Sequence, residues 1–306
     1  MANFAKLLTL VCYLLGSALS LYVDGGNIDK RNLGYARNVH TPRMAAASPF
    51  RGVGISYTPF TADSKCKSQA EIDSDINRLR KYSTIRLYGV ECNQIPMVLS
   101  AAKRNGMKIF AGIYVLNDLD RELQTLINSA RNSWSDIVAV SIGNEVVARN
   151  AQSPGQVVNA INRARSILRG VGYGGPVLTI DTVEATIRNP QLCHASDICA
   201  ANAHAFFSNK TPANQAGPFA RRQADMVSAA VGGKRIIIAE SGWPSAGDTN
   251  GAAVPSDQNQ RIAVQSLRDS FRDRDGELIL FSAFDEKWKK DFPGSHNAEK
   301  WWGIED

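Results

Sequence analysis

The sequence predicts an α/β protein built as a single (β/α)8 barrel. Three observations carry this. Eight short apolar runs rich in Val, Ile and Phe recur at roughly thirty-residue spacing, and amphipathic segments with helix-start and helix-stop residues lie between them. The 306-residue chain also exceeds the roughly 250 residues that such a barrel needs. Hydrophobic residues make up 44% and charged residues 21%, which excludes a disordered, collagenous or coiled-coil chain.

The first twenty residues read as a secretory signal. Lys6 is the positive flank, residues 7–15 form an apolar stretch too short to cross a bilayer, and Ala18-Leu19-Ser20 supplies small residues for cleavage. Residues 21–48 are polar and turn-rich with no apolar period. Their Lys30-Arg31 pair fits a processing site and a solvated tail equally. Residues 49–306 are the expected barrel domain, with no membrane span once the signal is removed.

The expected strands are residues 53–57, 84–88, 108–114, 137–142, 177–180, 198–203, 235–239 and 278–284. They lack strict alternation, as parallel strands covered on both faces do. Ser68-x-x-Glu71 is a capping box ahead of Ile72, Ile76 and Leu79. Leu119, Leu123, Leu126 and Ala130 form one helical stripe. Ser153-Pro154 starts the helix carrying Val157, Ile161, Ala164 and Leu168, which Gly170 closes. Asn105-Gly106 and Gly232-Gly233 end two others, and residues 262–271 lie in the last long helix. Strand-to-helix loops read as short throughout. A doubly wound sheet is the rival, but Gly52-Val53-Gly54 lacks the third glycine of a nucleotide loop.

Lys and Arg number 35 against 29 Asp and Glu, a mild excess without a run of five like charges, so no nucleic-acid partner is expected. Gly170, Gly172 and Gly175 match G-x-G-x-x-G but follow a helix and precede a strand, the reverse of a dinucleotide site. There is no G-x-S-x-G, H-E-x-x-H or phosphate loop, and the four histidines are scattered. No cofactor or metal is expected.

The chemistry stands at two strand ends. Strand four closes on Gly143-Asn144-Glu145 and strand seven on Glu240-Ser241-Gly242-Trp243. Barrel active sites lie at that C-terminal mouth. A carboxylate at the edge of an apolar core is costly unless paired or used. Two of them facing across the mouth suit retaining glycoside hydrolysis, where one attacks and one protonates the leaving oxygen. Their proximity would separate their proton affinities.

Together, Gly52-Val53-Gly54-Ile55-Ser56-Tyr57, Arg86-Leu87-Tyr88-Gly89, Ile142-Gly143-Asn144-Glu145, Ala239-Glu240-Ser241-Gly242-Trp243-Pro244-Ser245 and Phe284-Asp285-Glu286-x-x-Lys289 resemble glycoside hydrolase family 17, whose members act on β-1,3-glucans. The resemblance implies Glu145 as general acid/base and Glu240 as nucleophile, with Tyr57, Tyr88, Asn144, Glu286 and Lys289 around the reacting sugar. Residues 202–207 and 89–94 resemble the fungal cell-wall branch. His204 stands where plant members usually carry Tyr, and residues 205–217 are short for the plant helical subdomain. These features favour transfer to a second glucan (a β-1,3-glucanosyltransferase) over endo-β-1,3-glucanase action, and place the protein outside the cell or in its wall. A glucan-binding barrel without catalysis is a distant alternative.

Trp243 is expected as a sugar platform. Phe206, Phe207 and His204 follow strand six and are candidates for the cleft, as is Trp288 after strand eight. Trp301 and Trp302 are expected to close the barrel. Without Cys12, four cysteines remain and permit three pairings. Cys66 and Cys92 follow neighbouring strands at the mouth and are expected to pair, leaving Cys193 to Cys199. Asn209-Lys210-Thr211 is a glycosylation sequon.

Overall fold

A computed structural model describes residues 49–306. The expected signal segment and residues 21–48, with Lys30-Arg31, lie outside the described residues. Eight parallel strands close a barrel in sequence order: β1 (Gly54–Ser56), β2 (Thr84–Arg86), β3 (Lys108–Ile113), β4 (Ile137–Asn144), β5 (Val177–Thr182), β6 (Cys199–Asn202), β7 (Ile236–Ser241) and β8 (Leu278–Leu280). β8 pairs back onto β1 through Ile279 and Leu280, so the sheet has no open edge.

Alternate residues divide between two cores, except in β4, where the adjacent Val138 and Ala139 share one. Phe110, Ala139, Leu178, Ile180, Ala200, Ile237, Ala239 and Ile279 form one cluster, which Phe50 joins by an edge-to-face contact with Phe110 at 5.2 Å between centroids. Val177, Ile236 and Ile238 belong to the other cluster, with the buried faces of the helices. A period of two along most strands thus fills the barrel with one set and seats the helices on the other.

The helices are α1 (Gln69–Arg78), α2 (Gln94–Arg104), α3 (Leu119–Ala130), α4 (Pro154–Gly170), α5 (Val183–Arg188), α6 (Gln191–Ala195), α7 (Ala216–Ala230) and α8 (Asp257–Ser270). Ser68 and Glu71 form the capping box of α1; Ser153 and Gln156 form one at α4, with Pro154 in its first turn. Gly170 is the last helical residue of α4, and the left-handed stop falls on Gly172 at φ +89°.

The crossover after β5 is a pair of short helices, and among the described residues no α-helix follows β8. One expectation needs correction: the mouth loops are not uniformly short, since residues 57–68, 203–215 and 242–256 all run before the next helix starts. These loops carry the polar groups that an apolar strand-and-stripe pattern does not reveal. Cys66–Cys92 joins the loops after β1 and β2, with Cα atoms 5.3 Å apart, and Cys193–Cys199 ties α6 to the start of β6.

Candidate active site

The two glutamates meet at the mouth because their strands end there. Glu240 lies within β7, where Asn202 of β6 is its register partner. Glu145 follows β4 directly; its N–H donates to the Ile180 carbonyl at 2.8 Å, at a φ of +53°. Gly143, at φ +81°, supplies a left-handed backbone just before it. Asp181 of β5 accepts the N–H groups of Val147 and Ala148 and holds the following segment. Arg149 donates to the carbonyls of Asn144 and Glu145.

Glu240 is set in a ring of donors. Arg86, 1% exposed, donates through Nη1 to Glu240 Oε1 at 2.8 Å and to the Ala239 carbonyl at 2.7 Å. Tyr88 donates its hydroxyl to the same Oε1 at 3.0 Å, and His204 Nε2 lies 3.2 Å from Oε2. Glu145 has a poorer set: Asn202 Nδ2 donates to its Oε1 at 2.9 Å. A hydrogen-bonded chain joins the two carboxyls, from Glu240 through Arg86 to Asn144 Oδ1 (2.7 Å), and through Asn202 to Glu145.

These surroundings drive the two groups apart. Burial pushes Glu145 up to about 7, and the Glu240 charge adds to that push. Burial also works to raise Glu240, but Arg86 first, then His204 and Lys289, outweigh it and hold the carboxyl at about 2. Between these values one carboxyl is protonated beside one that is ionised. An acid and a nucleophile need that pairing.

The other expected residues fall into two groups. Asn144 spends its side-chain oxygen on Arg86 and Asn202, which leaves its amide as a donor. Glu286 accepts from Thr58 Oγ1 and pairs with Lys289 Nζ, each at 2.5 Å. Burial works to lower Lys289, yet Glu286, Glu299 and Glu240 keep it above the ordinary lysine value. The structure therefore gathers Tyr88, Asn144, His204, Glu286 and Lys289 around the pair.

Tyr57, Phe206 and Trp243 do not take the expected places. Tyr57 is 2% exposed and gives its hydroxyl proton to Asp75 of α1 at 2.8 Å, so that proton is not offered to a sugar. Trp243 is 0% exposed, and its indole N–H donates to the Val254 carbonyl, so no ring face is open to a sugar. Phe206, also 0% exposed, packs edge-on against Trp243 at 5.5 Å and Trp302 at 5.9 Å. These rings wall the site from behind. His204 stands on that wall, 5.2 Å from the Phe281 ring and 5.1 Å from Trp302. Gly242 is needed between Glu240 and the wall, because a Cβ there would lie 1.8 Å from the Phe281 carbonyl oxygen. Trp302 is buried, in keeping with a closing role, whereas Trp301 is half-buried with Lys287 over its ring.

Sequence reasoning leaves Arg86, Asn202 and Asp181 without a role. For Arg86 a signal exists: a cation in the otherwise uncharged strand Thr84-Ile85-Arg86 demands a buried anion. Among the described residues no cluster of metal-ligating side chains occurs, and no helix is long and apolar enough to cross a membrane.

Comparison with known proteins gives a consistent setting. Residues 54–303 match the BtgE/BtgC glycoside hydrolase domain. The chain is 43% identical over 254 residues to the cell surface mannoprotein MP65 of Candida albicans, covering 82% of this chain and 66% of that protein. It is 42% identical over 254 residues to the probable family 17 glucosidase SCW10 of Saccharomyces cerevisiae, covering 82% and 64%. The chain thus spans slightly less than two thirds of the length of these relatives. Among solved structures, the glycoside hydrolase family 17 β-1,3-glucanosyltransferase from Rhizomucor miehei superposes with a TM-score of 0.69 at 25% identity, over 85% of this chain and 94% of that one. An active-site mutant of the Rhizomucor enzyme, in complex with laminaritriose, gives the same score.

Proposed function

The chain belongs to glycoside hydrolase family 17, and from that premise we propose that its barrel is a retaining β-1,3-glucan enzyme that transfers glucanosyl units, Glu240 being the nucleophile and Glu145 the acid/base. The observation that carries this is the unequal pair: Glu240 held ionised by Arg86, beside Glu145 held protonated by burial.

In the first step a Glu240 carboxylate oxygen attacks the anomeric carbon. The glycosidic C–O bond breaks, and Glu145 gives its proton to the departing oxygen. Glu240 is then an ester and carries no charge. That removes the Glu240 charge, which had added to the upward push of burial on Glu145, and Glu145 is now a carboxylate able to act as base. In the second step Glu145 takes the proton of an incoming hydroxyl, whose oxygen attacks the same carbon and releases Glu240. Atoms balance and the two inversions retain configuration. Arg86 and Tyr88 hold Glu240 in place through both steps, and Asn202 holds Glu145.

The incoming hydroxyl decides the product: water gives hydrolysis, a glucan gives transfer. The loop after β6, residues 203–215, contains only two single 3-10 turns, which leaves room for a polymeric acceptor. The Rhizomucor neighbour, a glucanosyltransferase, supports the same choice. The name of the Candida relative supports a place at the cell surface. The alternative is an endo-β-1,3-glucanase using the same pair.

Incubating the purified protein with one defined β-1,3-gluco-oligosaccharide and sizing the products over time tests this. Products longer than the substrate are expected. Only shorter ones would make the protein a hydrolase, and no turnover would leave a glucan-binding barrel.

A further inference from the structure

The backbone at Glu145 takes a conformation that glutamate rarely adopts. β4 fits one residue more than β5 between Ser141 and Asn144, whose partners are Leu178 and Ile180. A bulge of this kind re-aims the end of a strand. Gly143 then turns left-handed at φ +81°, and Glu145 follows at φ +53°. Glycine enters that region freely, whereas glutamate stays there only where its surroundings fix the backbone. A single turn comes next. The Arg149 N–H donates to the Glu145 carbonyl at 3.1 Å, and the Ala151 N–H to that of Val146 at 2.9 Å.

Two charged side chains grip this turn. Asp181, near the end of β5 and 1% exposed, accepts the Val147 N–H on Oδ2 at 2.9 Å. Its Oδ1 accepts from Ala148 at 3.2 Å and from Thr182 at 2.9 Å. The N–H groups of Val147 and Ala148 open the turn, where helical backbone lacks partners of its own. Arg149 takes carbonyls instead. Its Nε donates to that of Glu145 at 3.1 Å and its Nη2 to that of Asn144 at 2.6 Å. The guanidinium also stands over the Tyr114 ring, 5.0 Å from its centroid. With the Glu145 N–H given to Ile180, the peptide groups on both sides of Glu145 are held, and its φ with them.

We infer that Asp181 and Arg149 are positioning residues for the acid/base, holding the left-handed backbone at Glu145 that aims its carboxyl at the departing oxygen. This rests on the assignment of Glu145 above. The grip acts on backbone and leaves the carboxyl to Asn202. Asp181 adds an effect of charge. Facing Glu145 are Glu240 of β7, Asn202 of β6, His204 after β6 and Asp181 of β5, with Arg149 on its own turn. The two carboxylates push the Glu145 carboxyl up, and Asn202 and His204 pull it down.

The test measures kcat/KM on β-1,3-glucan and on an aryl β-glucoside with a good leaving group, for Asp181→Asn, Glu145→Gln and the double variant. An amide accepts through one oxygen only and turns its own N–H groups towards the other donors, so one side of the grip is lost. The misplaced acid should lower kcat/KM on glucan about a hundredfold and spare the aryl donor, whose leaving group needs little protonation. In the Glu145→Gln background the same change should cost nothing further on glucan. The alkaline limb should move to lower pH in Asp181→Asn, because a negative charge beside Glu145 is gone. A purely structural role would lower both donors alike and leave the limb in place. Arg149→Ala should show the same split between donors, and it carries the test should Asp181→Asn not fold. Equal losses on both donors, an unmoved limb, or a full further loss in the double variant overturns the positioning role. If Glu145→Gln itself treats the two donors alike, the acid/base assignment falls and this inference with it.

Discussion

Arg86 Nη1 lies 2.8 Å from Glu240 Oε1, with both side chains shut away from solvent. The same guanidinium reaches Asn144 through Nη2, so one cation ties β2 to β4 and β7 at their active ends. Arg86→Ala would leave the buried Glu240 charge without its main cation, with only Tyr88 and His204 in contact, and we expect a loss of about 3 kcal/mol. The sign of the pH effect follows from Glu240 being lowered. The wild type has the full benefit above the ordinary 4.5 and loses it as pH falls towards about 2. Urea unfolding of the two proteins at neutral pH and near pH 3 should therefore show a gap that narrows at the lower pH. A gap that widens would refute the pairing.

Activity should fall on the alkaline side as Glu145 loses its proton, with a limb in kcat/KM near 7. Glu145→Gln removes that limb. It should cost far less on aryl β-glucosides with good leaving groups than on glucan, because such groups depart without a proton. The pH profile on both substrate classes checks this, and equal losses on the two would reverse the assignment of roles.

The bond from Asn202 favours the ionised form of Glu145 and so pulls its titration down. Asn202→Ala should therefore move the alkaline limb to higher pH while lowering kcat. A limb that moves downwards would mean that Asn202 does not donate to the carboxylate.

The Cys193–Cys199 bond closes a loop of sequence separation 6 at the start of β6, away from the mouth. Its loss in Cys193→Ala/Cys199→Ala should cost about 2 kcal/mol in chemical denaturation with kcat unaltered. A change in product pattern would instead couple this end of β6 to Asn202 and His204.

The barrel was readable because buried parallel strands need continuous apolar runs, and 137–142 and 235–239 could hardly be anything else. The same rule makes Glu145 and Glu240 stand out, since each is an acid abutting such a run. Side-chain direction at the mouth obeys no such period. Trp243 follows Glu240 in sequence, yet its indole turns to the Val254 carbonyl in a loop that closes over it, and Gln260 of α8 caps its backbone. Phe206 is drawn into the same wall. Those partners are fixed by tertiary packing, so position after a strand could not separate a platform from a wall. Arg86 was the opposite case: visible as a charge out of place, but meaningful only once its three acceptors were in view.

The proposed mechanism requires Glu240 to form a glucosyl ester. A 2-deoxy-2-fluoro-β-glucosyl donor with a good leaving group, extended by a β-1,3-linked glucose, slows breakdown of that ester enough to isolate it. Peptide mass spectrometry should then find the added sugar on Glu240 and nowhere else, and none in Glu240→Gln. Turnover of the reagent with no adduct, or an adduct on another residue, would contradict the mechanism.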